Sequence, residues 1–186
     1  MKRLNLAVLA AAGLCVAVAA SASAQAPSPG GVRYGVHGGL LMPMGDYGTA
    51  DKPGWIAGAG FTYWLTGNSL GIQVDGSYSQ TSHDGFAGHS NIAGGLASLV
   101  YGLMPASAPA RPFISGGVGY YNVKVDDGAG TSASESKVGF GIGAGVSLKL
   151  GTSSNRLVIA TRYTSVSTTG SSITFLPLTV GLSFGK

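Results

Sequence analysis

The stretch from Val138 to Leu150, VGFGIGAGVSLKL, determines the fold of this chain. Every second residue, from Val138 through Phe140 to Leu150, is apolar, and the residues between them are glycine, serine or lysine. Because a strand turns successive side chains to opposite faces, the stretch predicts a strand with one apolar face and one small, polar face. A helix is excluded, since each alternating glycine would cost about 1 kcal/mol relative to alanine. The length suits a bilayer, which a tilted strand crosses in roughly 9–11 residues.

Residues 1–24 have the pattern of an export signal rather than of a folded domain. The basic residues Lys2 and Arg3 precede an apolar run from Leu6 to Ala20, and the small residues Ala22-Ser23-Ala24 form a cleavage site. We therefore expect a signal peptide over 1–24 that is cleaved after Ala24. A membrane-anchoring helix is the alternative, although the apolar run is short for one and no stop-transfer charges follow it.

The remaining chain is poor in charge and rich in glycine. Only 10% of the sequence is charged, against about 25% in an ordinary soluble domain, and glycine contributes 32 residues. Two of the positive charges that contribute to the net charge of +4 lie in the signal. The mature domain therefore has little net positive charge with which to attract a nucleic acid. After the signal there is no apolar run of about 18 residues that would predict a transmembrane helix.

We expect a short flexible lead-in over 25–31 and a single domain over 32–186. The only cysteine, Cys15, lies in the signal, so the mature domain would contain no disulfide. A closed, hydrogen-bonded sheet is one way in which an exported domain holds together without disulfides.

Eight segments of the domain read as strands. Polar loops follow the first, third, fifth and seventh, and generally shorter turns follow the others, which is typical of an antiparallel up-and-down outer-membrane barrel. The fourth and fifth segments have apolar residues at both parities, so the sequence does not assign their faces. The predicted strands are Val32–Met42, Trp55–Leu65, Leu70–Gln80, Ser90–Leu103, Pro112–Val125, Val138–Leu150, Arg156–Ser165 and Ile173–Phe184.

The bulky face of these strands is expected to contact lipid. In a soluble barrel the opposite face would meet water, and soluble strands usually show water Lys, Glu, Thr and Arg, not a row of glycines. An eight-stranded barrel has a lumen only wide enough for side chains, so small residues fit there. Aromatic residues near strand ends would form interfacial girdles: Tyr34, Trp55, Tyr63, Tyr78, Tyr101 and Phe184.

Three segments resemble a known family. The stretches PFISGGVGYY, IATRYT and LPLTVGLSF, together with the export signal, are similar to the small outer-membrane β-barrel proteins related to OmpA and OmpX and to opacity-type proteins of the porin family. The resemblance implies an all-β, eight-stranded antiparallel transmembrane barrel in a Gram-negative outer membrane. It also implies recognition by the barrel-assembly machinery. Such chains commonly end on an aromatic residue, whereas here Gly185 and Lys186 follow Phe184.

A polar cluster is predicted inside the barrel. His37, Asp75 and Arg162 occupy mid-strand positions on the face opposite the apolar one. A lone carboxylate in so narrow a lumen would be costly, so we expect Asp75 to pair with Arg162 and His37 to lie nearby. The cluster would plug the lumen and stabilise the barrel; the alternative is a proton or ion path.

The sequence predicts no catalytic residues, no cofactor and no metal site. His89 and Ser90 suggest a lipid-modifying enzyme, but adjacent strand residues point to opposite faces, and the only glutamate, Glu135, falls in a predicted Gly/Ser-rich loop. The histidines, which also include His37 and His83, lack close ligand spacing. The GFGIGAG motif does not open a helix, so it is not a nucleotide loop.

We therefore expect a non-enzymatic, monomeric outer-membrane barrel. Its role would be envelope integrity, surface contact through the extracellular loops, or both, and the sequence does not identify a loop partner. The expected partners are outer-membrane lipids and, during biogenesis, the assembly machinery, with no nucleic acid. The main alternative is a soluble exported barrel that binds a hydrophobic ligand; a small pore or a lipid-modifying enzyme are lesser ones.

Overall fold

The computed structural model describes residues 31–65, 69–85, 87–168 and 171–185, and these form a closed antiparallel barrel. Each strand pairs with its neighbours in sequence, and the last closes on the first. The predicted eight-stranded up-and-down architecture is confirmed. The predicted signal peptide over 1–24 and residues 25–30 of the predicted lead-in lie outside the described residues. The strands are β1 (Val32–Met44), β2 (Gly54–Trp64), β3 (Leu70–Ser82), β4 (His89–Gly102), β5 (Ala110–Asp126), β6 (Ser132–Lys149), β7 (Arg156–Thr168) and β8 (Ser171–Gly185).

The barrel has two distinct ends. The terminal end carries the start of β1 and the end of β8, together with the connections that follow β2, β4 and β6. The loop end carries the connections that follow β1, β3, β5 and β7, and a short helix, α1 (Asp46–Ala50), lies in the first of these. Within the described ranges, no helix is long and apolar enough to cross a membrane.

The alternation of β6 decides which face is outside. Phe140 and Ile142 are 49% and 59% exposed on the outer surface, while the glycines between them face the lumen. Closure also assigns the two strands whose faces the sequence left open. In β4, Leu96 and Val100 are buried inside and Leu99 is exposed outside, and in β5 Tyr121 is buried inside beside the exposed Tyr120.

The hairpin of β5 and β6 extends further than the sequence suggested. The predicted loop over 126–137 is wrong, because the ladder continues to the pair Asp126 and Ser132 and places Glu135 on β6 opposite Val123. On its outer face the apolar residues end at Tyr120, and Asn122 donates hydrogen bonds to the hydroxyls of Ser134 and Ser136. Polar residues here extend the strands beyond the apolar band, so strand length alone overstates the membrane-crossing part.

Aromatic residues lie at both edges of the apolar band. At the loop end, Trp55 packs against Tyr78 with ring centroids 5.6 Å apart. At the terminal end Tyr34, Tyr63 and Tyr101 are exposed on the outer surface. Phe184 differs from the expectation, because it is buried and stacks on Tyr34. Such aromatic girdles are characteristic of membrane barrels.

The lumen is filled unevenly along its axis. In the half nearest the loop end, apolar side chains pack into a core. A polar cluster follows at mid-height, and the terminal half encloses a cavity of about 620 Å³. The packed core consists of Leu41, Tyr47, Ile56, Ile92, Tyr121, Val123, Val166 and Phe175.

Two glycines of the same hairpin test how tightly the lumen is packed. A Cβ on Gly145 would lie 2.6 Å from both Phe113 Cζ and the carbonyl oxygen of Ile159, whereas a Cβ on the outward Gly116 would meet nothing closer than 3.8 Å. We expect Gly145→Ala to lower the free energy of unfolding by about 1–3 kcal/mol through overpacking. Gly116→Ala should leave it nearly unchanged. Urea unfolding of the refolded barrel, followed by heat-dependent gel mobility, measures both; equal stabilities would contradict the tight luminal packing.

Candidate functional site

The three predicted luminal residues lie together at mid-height. Arg162 Nη1 donates to Asp75 Oδ1 over 3.4 Å, and His37 Nδ1 lies 3.5 Å from Asp75 Oδ2. They come from β7, β3 and β1, so the cluster spans the lumen. Asp75 is 5% exposed, while the side chains of Arg162 and His37 keep 24% and 22% of their surface accessible. The carboxylate is therefore buried between two partners that reach the cavity.

Glycines make the space that this cluster needs. A Cβ on Gly141 would lie 3.1 Å from Arg162 Cδ, and one on Gly58 would lie 2.6 Å from His37 Nε2. The ring of Tyr121 fills the lumen beside them and would lie 2.9 Å from a Cβ on Gly119. The glycine-rich luminal face of the strands thus leaves room for a few large luminal side chains.

A second polar cluster fixes the first connection to the loop end. The Tyr47 hydroxyl donates to Thr81 Oγ1 over 2.7 Å, because the Thr81 hydroxyl itself donates to Asp51 Oδ2 over 2.6 Å. Burial raises the pKa of the Tyr47 phenol above its usual range, which keeps it protonated as a donor. The other Asp51 oxygen bonds to His83 Nδ1. We call these four residues the latch.

The latch joins three connections of the barrel. Asp51 belongs to the connection after β1 and pairs with His83 after β3, and His83 Nε2 lies 3.1 Å from the backbone carbonyl oxygen of Asp126 at the end of β5. Both ring nitrogens of His83 therefore lie within hydrogen-bonding distance of oxygen atoms of the barrel. These bonds tie the connections after β1 and β3 to the end of β5.

No pattern in the sequence indicated the latch. Tyr47, Asp51 and His83 fell in predicted loops, where strand parity has no meaning, and Thr81 followed the predicted third strand. Of the residues considered for esterase chemistry, Ser90 is buried and Glu135 pairs with Lys137 on β6. In the part of the chain that the structure describes, no three His, Cys, Asp or Glu side chains are grouped as metal ligands.

A third group of polar residues lies at the terminal mouth of the cavity. Arg33, Arg111 and Arg156 from β1, β5 and β7 line it together with Lys149 from β6. The sequence shows these residues singly at strand ends, and only closure of the barrel brings them to one rim. No signal in the spacing identified them.

Sequence comparison agrees with this architecture. The model of the outer membrane protein beta-barrel domain matches residues 6–184. The chain belongs to this family. It is therefore an outer-membrane β-barrel protein, and the resemblance inferred from its segments is confirmed. No curated protein sequence matches the chain.

Solved structures show the same fold at low sequence identity. Neisserial surface protein A matches with a TM-score of 0.66 at 16% identity, over 83% of this chain and 97% of that one. The N-terminal β-barrel domain of Pseudomonas aeruginosa OprF matches with 0.52 at 17%, over 85% and 100%. Ail, the attachment invasion locus protein of Yersinia pestis, in complex with the heparin analogue sucrose octasulfate, matches with 0.51 at 20%, over 84% and 100%.

Neutralising Asp75 tests the luminal ion pair. In Asp75→Asn the guanidinium of Arg162 loses its counter-charge, and we expect the free energy of unfolding to fall by about 1–3 kcal/mol, less than for a fully dry pair because Arg162 is partly hydrated. The double variant Asp75→Asn/Arg162→Gln should recover part of that loss. Asp84→Asn, which removes an acid from an exposed pair with Lys52, is the matched control and should change little. Additive single-variant effects in the double variant would refute the coupling.

Asp51→Asn tests the latch. The variant weakens the bonds from Thr81 and His83, so Tyr47 should leave its buried site more often and become a chymotrypsin site. We expect cleavage after Tyr47 to accelerate about tenfold, as mass spectrometry of timed digests would measure, because the local opening energy falls by about 1–2 kcal/mol. Asp46→Asn alters an exposed acid of the same helix and should digest like wild type. Identical rates for all three proteins would contradict a closed latch.

Proposed function

We propose that this protein is a closed, non-enzymatic barrel that contributes to the integrity of the outer membrane. The observation that carries the proposal is the packing of the lumen. Leu41 and Val166 are 0% exposed in the loop half, and the Asp75 cluster lies beneath them. A lumen that side chains close across its loop half leaves the barrel as a lipid-facing wall without a conducting path.

The apolar outer surface of the barrel supports a structural role within the bilayer. The apolar outward positions of β3 run from Leu70 to Tyr78, close to the roughly 9–11 residues that a tilted strand needs. Because the strand number is even, both ends of the domain lie on one side. We place this terminal end in the periplasm and the loop end outside, as is usual for exported barrels.

Surface contact through the loop end is a second candidate role, and the extended hairpin favours it. Asp126 and Ser132 continue the β5–β6 ladder beyond the apolar band, and this hairpin presents the exposed Lys124, Asn122 and Ser134. A strain lacking the protein separates the two roles. Increased detergent sensitivity supports the envelope role, whereas a loss of adhesion alone supports surface contact.

The absence of catalysis is part of the proposal. The most suggestive pair, Asp51 and His83, is held between the hydroxyl of Thr81 and the carbonyl of Asp126. The luminal carboxylate of Asp75 is engaged by Arg162 and His37. Both arrangements fix charge in place rather than offering it to a substrate.

Planar-bilayer recording tests the closed lumen. Wild-type protein should insert without discrete conductance steps, because the packed loop half blocks ions. A known porin recorded under the same conditions shows that the method detects pores, and heat-dependent gel mobility of the recovered sample shows that the barrel is folded. Reproducible conductance steps from folded wild-type protein would contradict the proposal of a closed lumen.

A further inference from the structure

Charge is distributed along the barrel axis with a sharp asymmetry. The sequence has seven acidic residues, and six of them lie at the loop end while Asp75 lies at mid-height. The terminal half of the domain therefore has no acidic side chain between residues 32 and 185. Its cations are Arg33, Arg111, Lys149 and Arg156, and the loop-end acids are Asp46, Asp51, Asp84, Asp126, Asp127 and Glu135.

The arginines at the terminal mouth are fixed by neutral acceptors. Arg33 donates to the carbonyl of Ser154 over 2.6 Å and to the hydroxyl of Ser183 over 3.1 Å. Arg156 donates to the hydroxyl of Ser147 over 2.7 Å and to the carbonyl of Ala108 over 2.9 Å. Such bonds orient the guanidiniums without cancelling their charge.

Arg111 is held in a different way. Its guanidinium carbon lies 4.0 Å from the ring centroid of Trp64, which is the geometry of a cation–π contact. Arg111 and Arg156 are 6% and 8% exposed, so their charges lie inside the mouth rather than on the outer surface. Like charges held at one rim repel one another, and an anion between them would relieve that repulsion.

Behind this rim the cavity wall becomes apolar. Val100, Phe113 and Val158 line it, and the Asp75 cluster and then the packed core close it toward the loop end. Its volume of about 620 Å³ is in the range of pockets that bind small organic molecules. A ligand that fits both parts has an anionic group at the rim and a small apolar body inside.

We propose that the terminal mouth of the lumen binds a phosphate ester of a small apolar molecule. The phosphate lies among Arg33, Arg111 and Arg156, whose planar forks suit tetrahedral oxyanions, and the organic part enters the blind cavity. On the orientation proposed above, such a ligand enters from the periplasm. The site needs the cavity and the cationic rim only, so it is independent of the role in envelope integrity.

The tryptophans provide a direct measurement. The chain has two, and Trp55 is an outward residue at the other end of the barrel. In a Trp55→Phe background, fluorescence reports Trp64 beside Arg111 alone. Folded protein in zwitterionic micelles is titrated with phenyl phosphate, inorganic phosphate, short-chain phosphatidic acid and, as a neutral control, benzyl alcohol.

We expect saturable binding of phenyl phosphate, at least tenfold tighter than that of inorganic phosphate, and none of benzyl alcohol. Salt should weaken it, because the attraction is electrostatic. Equal affinities for phenyl and inorganic phosphate would overturn the ester assignment. Short-chain phosphatidic acid binding tightest of all would assign the site to a lipid headgroup instead.

Matched variants locate the site. Arg156→Gln and Arg33→Gln should each weaken phenyl phosphate binding about tenfold or more, with calorimetry as a second readout. Lys124→Gln removes the same charge from the exposed loop end and should bind like wild type. Heat-dependent gel mobility establishes that each variant is folded. If folded Arg156→Gln and Arg33→Gln bind as tightly as Lys124→Gln, the site is not at this mouth and the proposal fails.

Discussion

Closure of the backbone hydrogen-bond ladder is the constraint on which the rest of the structure depends. In lipid an unpaired backbone group costs several kcal/mol, so the sheet must have no open edge. The pairing of β1 with β8 removes the last two edges and joins residues as far apart as Arg33 and Gly185. Eight strands then fix a narrow lumen, and that width decides which side chains fit inside. The glycines of β6 and the large luminal side chains opposite them follow from this width.

The uneven filling of the lumen divides the barrel into regions of different stability. The loop half contains the packed core, in which Leu41 and Val166 are fully buried, with the latch above it. The terminal half has a cavity, and its polar side chains bond to turn carbonyls such as those of Ser154 and Ala108. Local opening is easier where apolar contacts are few. We therefore expect the terminal half to open locally more easily than the loop half.

The alternation of side chains along the strands made most of the fold predictable from the sequence. The remaining features depend on contacts between distant segments, which no sequence pattern shows. The faces of β6 were readable because apolar residues alternate with glycine or serine from Val138 to Leu148. The faces of β4 and β5 were not, since Leu96 and Leu99 are both apolar and only closure puts one inside. Asp75 and Arg162 could be predicted as neighbours because each is a charged residue at a mid-strand position of the predicted luminal face, and the two charges are opposite. The latch and the arginine rim had no such signal, because their members meet only through the three-dimensional course of the connections.

The seam between β1 and β8 has a further consequence for how the chain can be rearranged. Val32 and Gly185 lie at the same end of neighbouring strands, about one strand spacing apart. A short linker could join them, and the chain could then be cut at another connection to give a circular permutant. A cut in 127–131 would move the new ends to the loop end while every ladder stayed intact. The order of strands around the barrel, rather than the place where the polypeptide starts, is what defines this molecule.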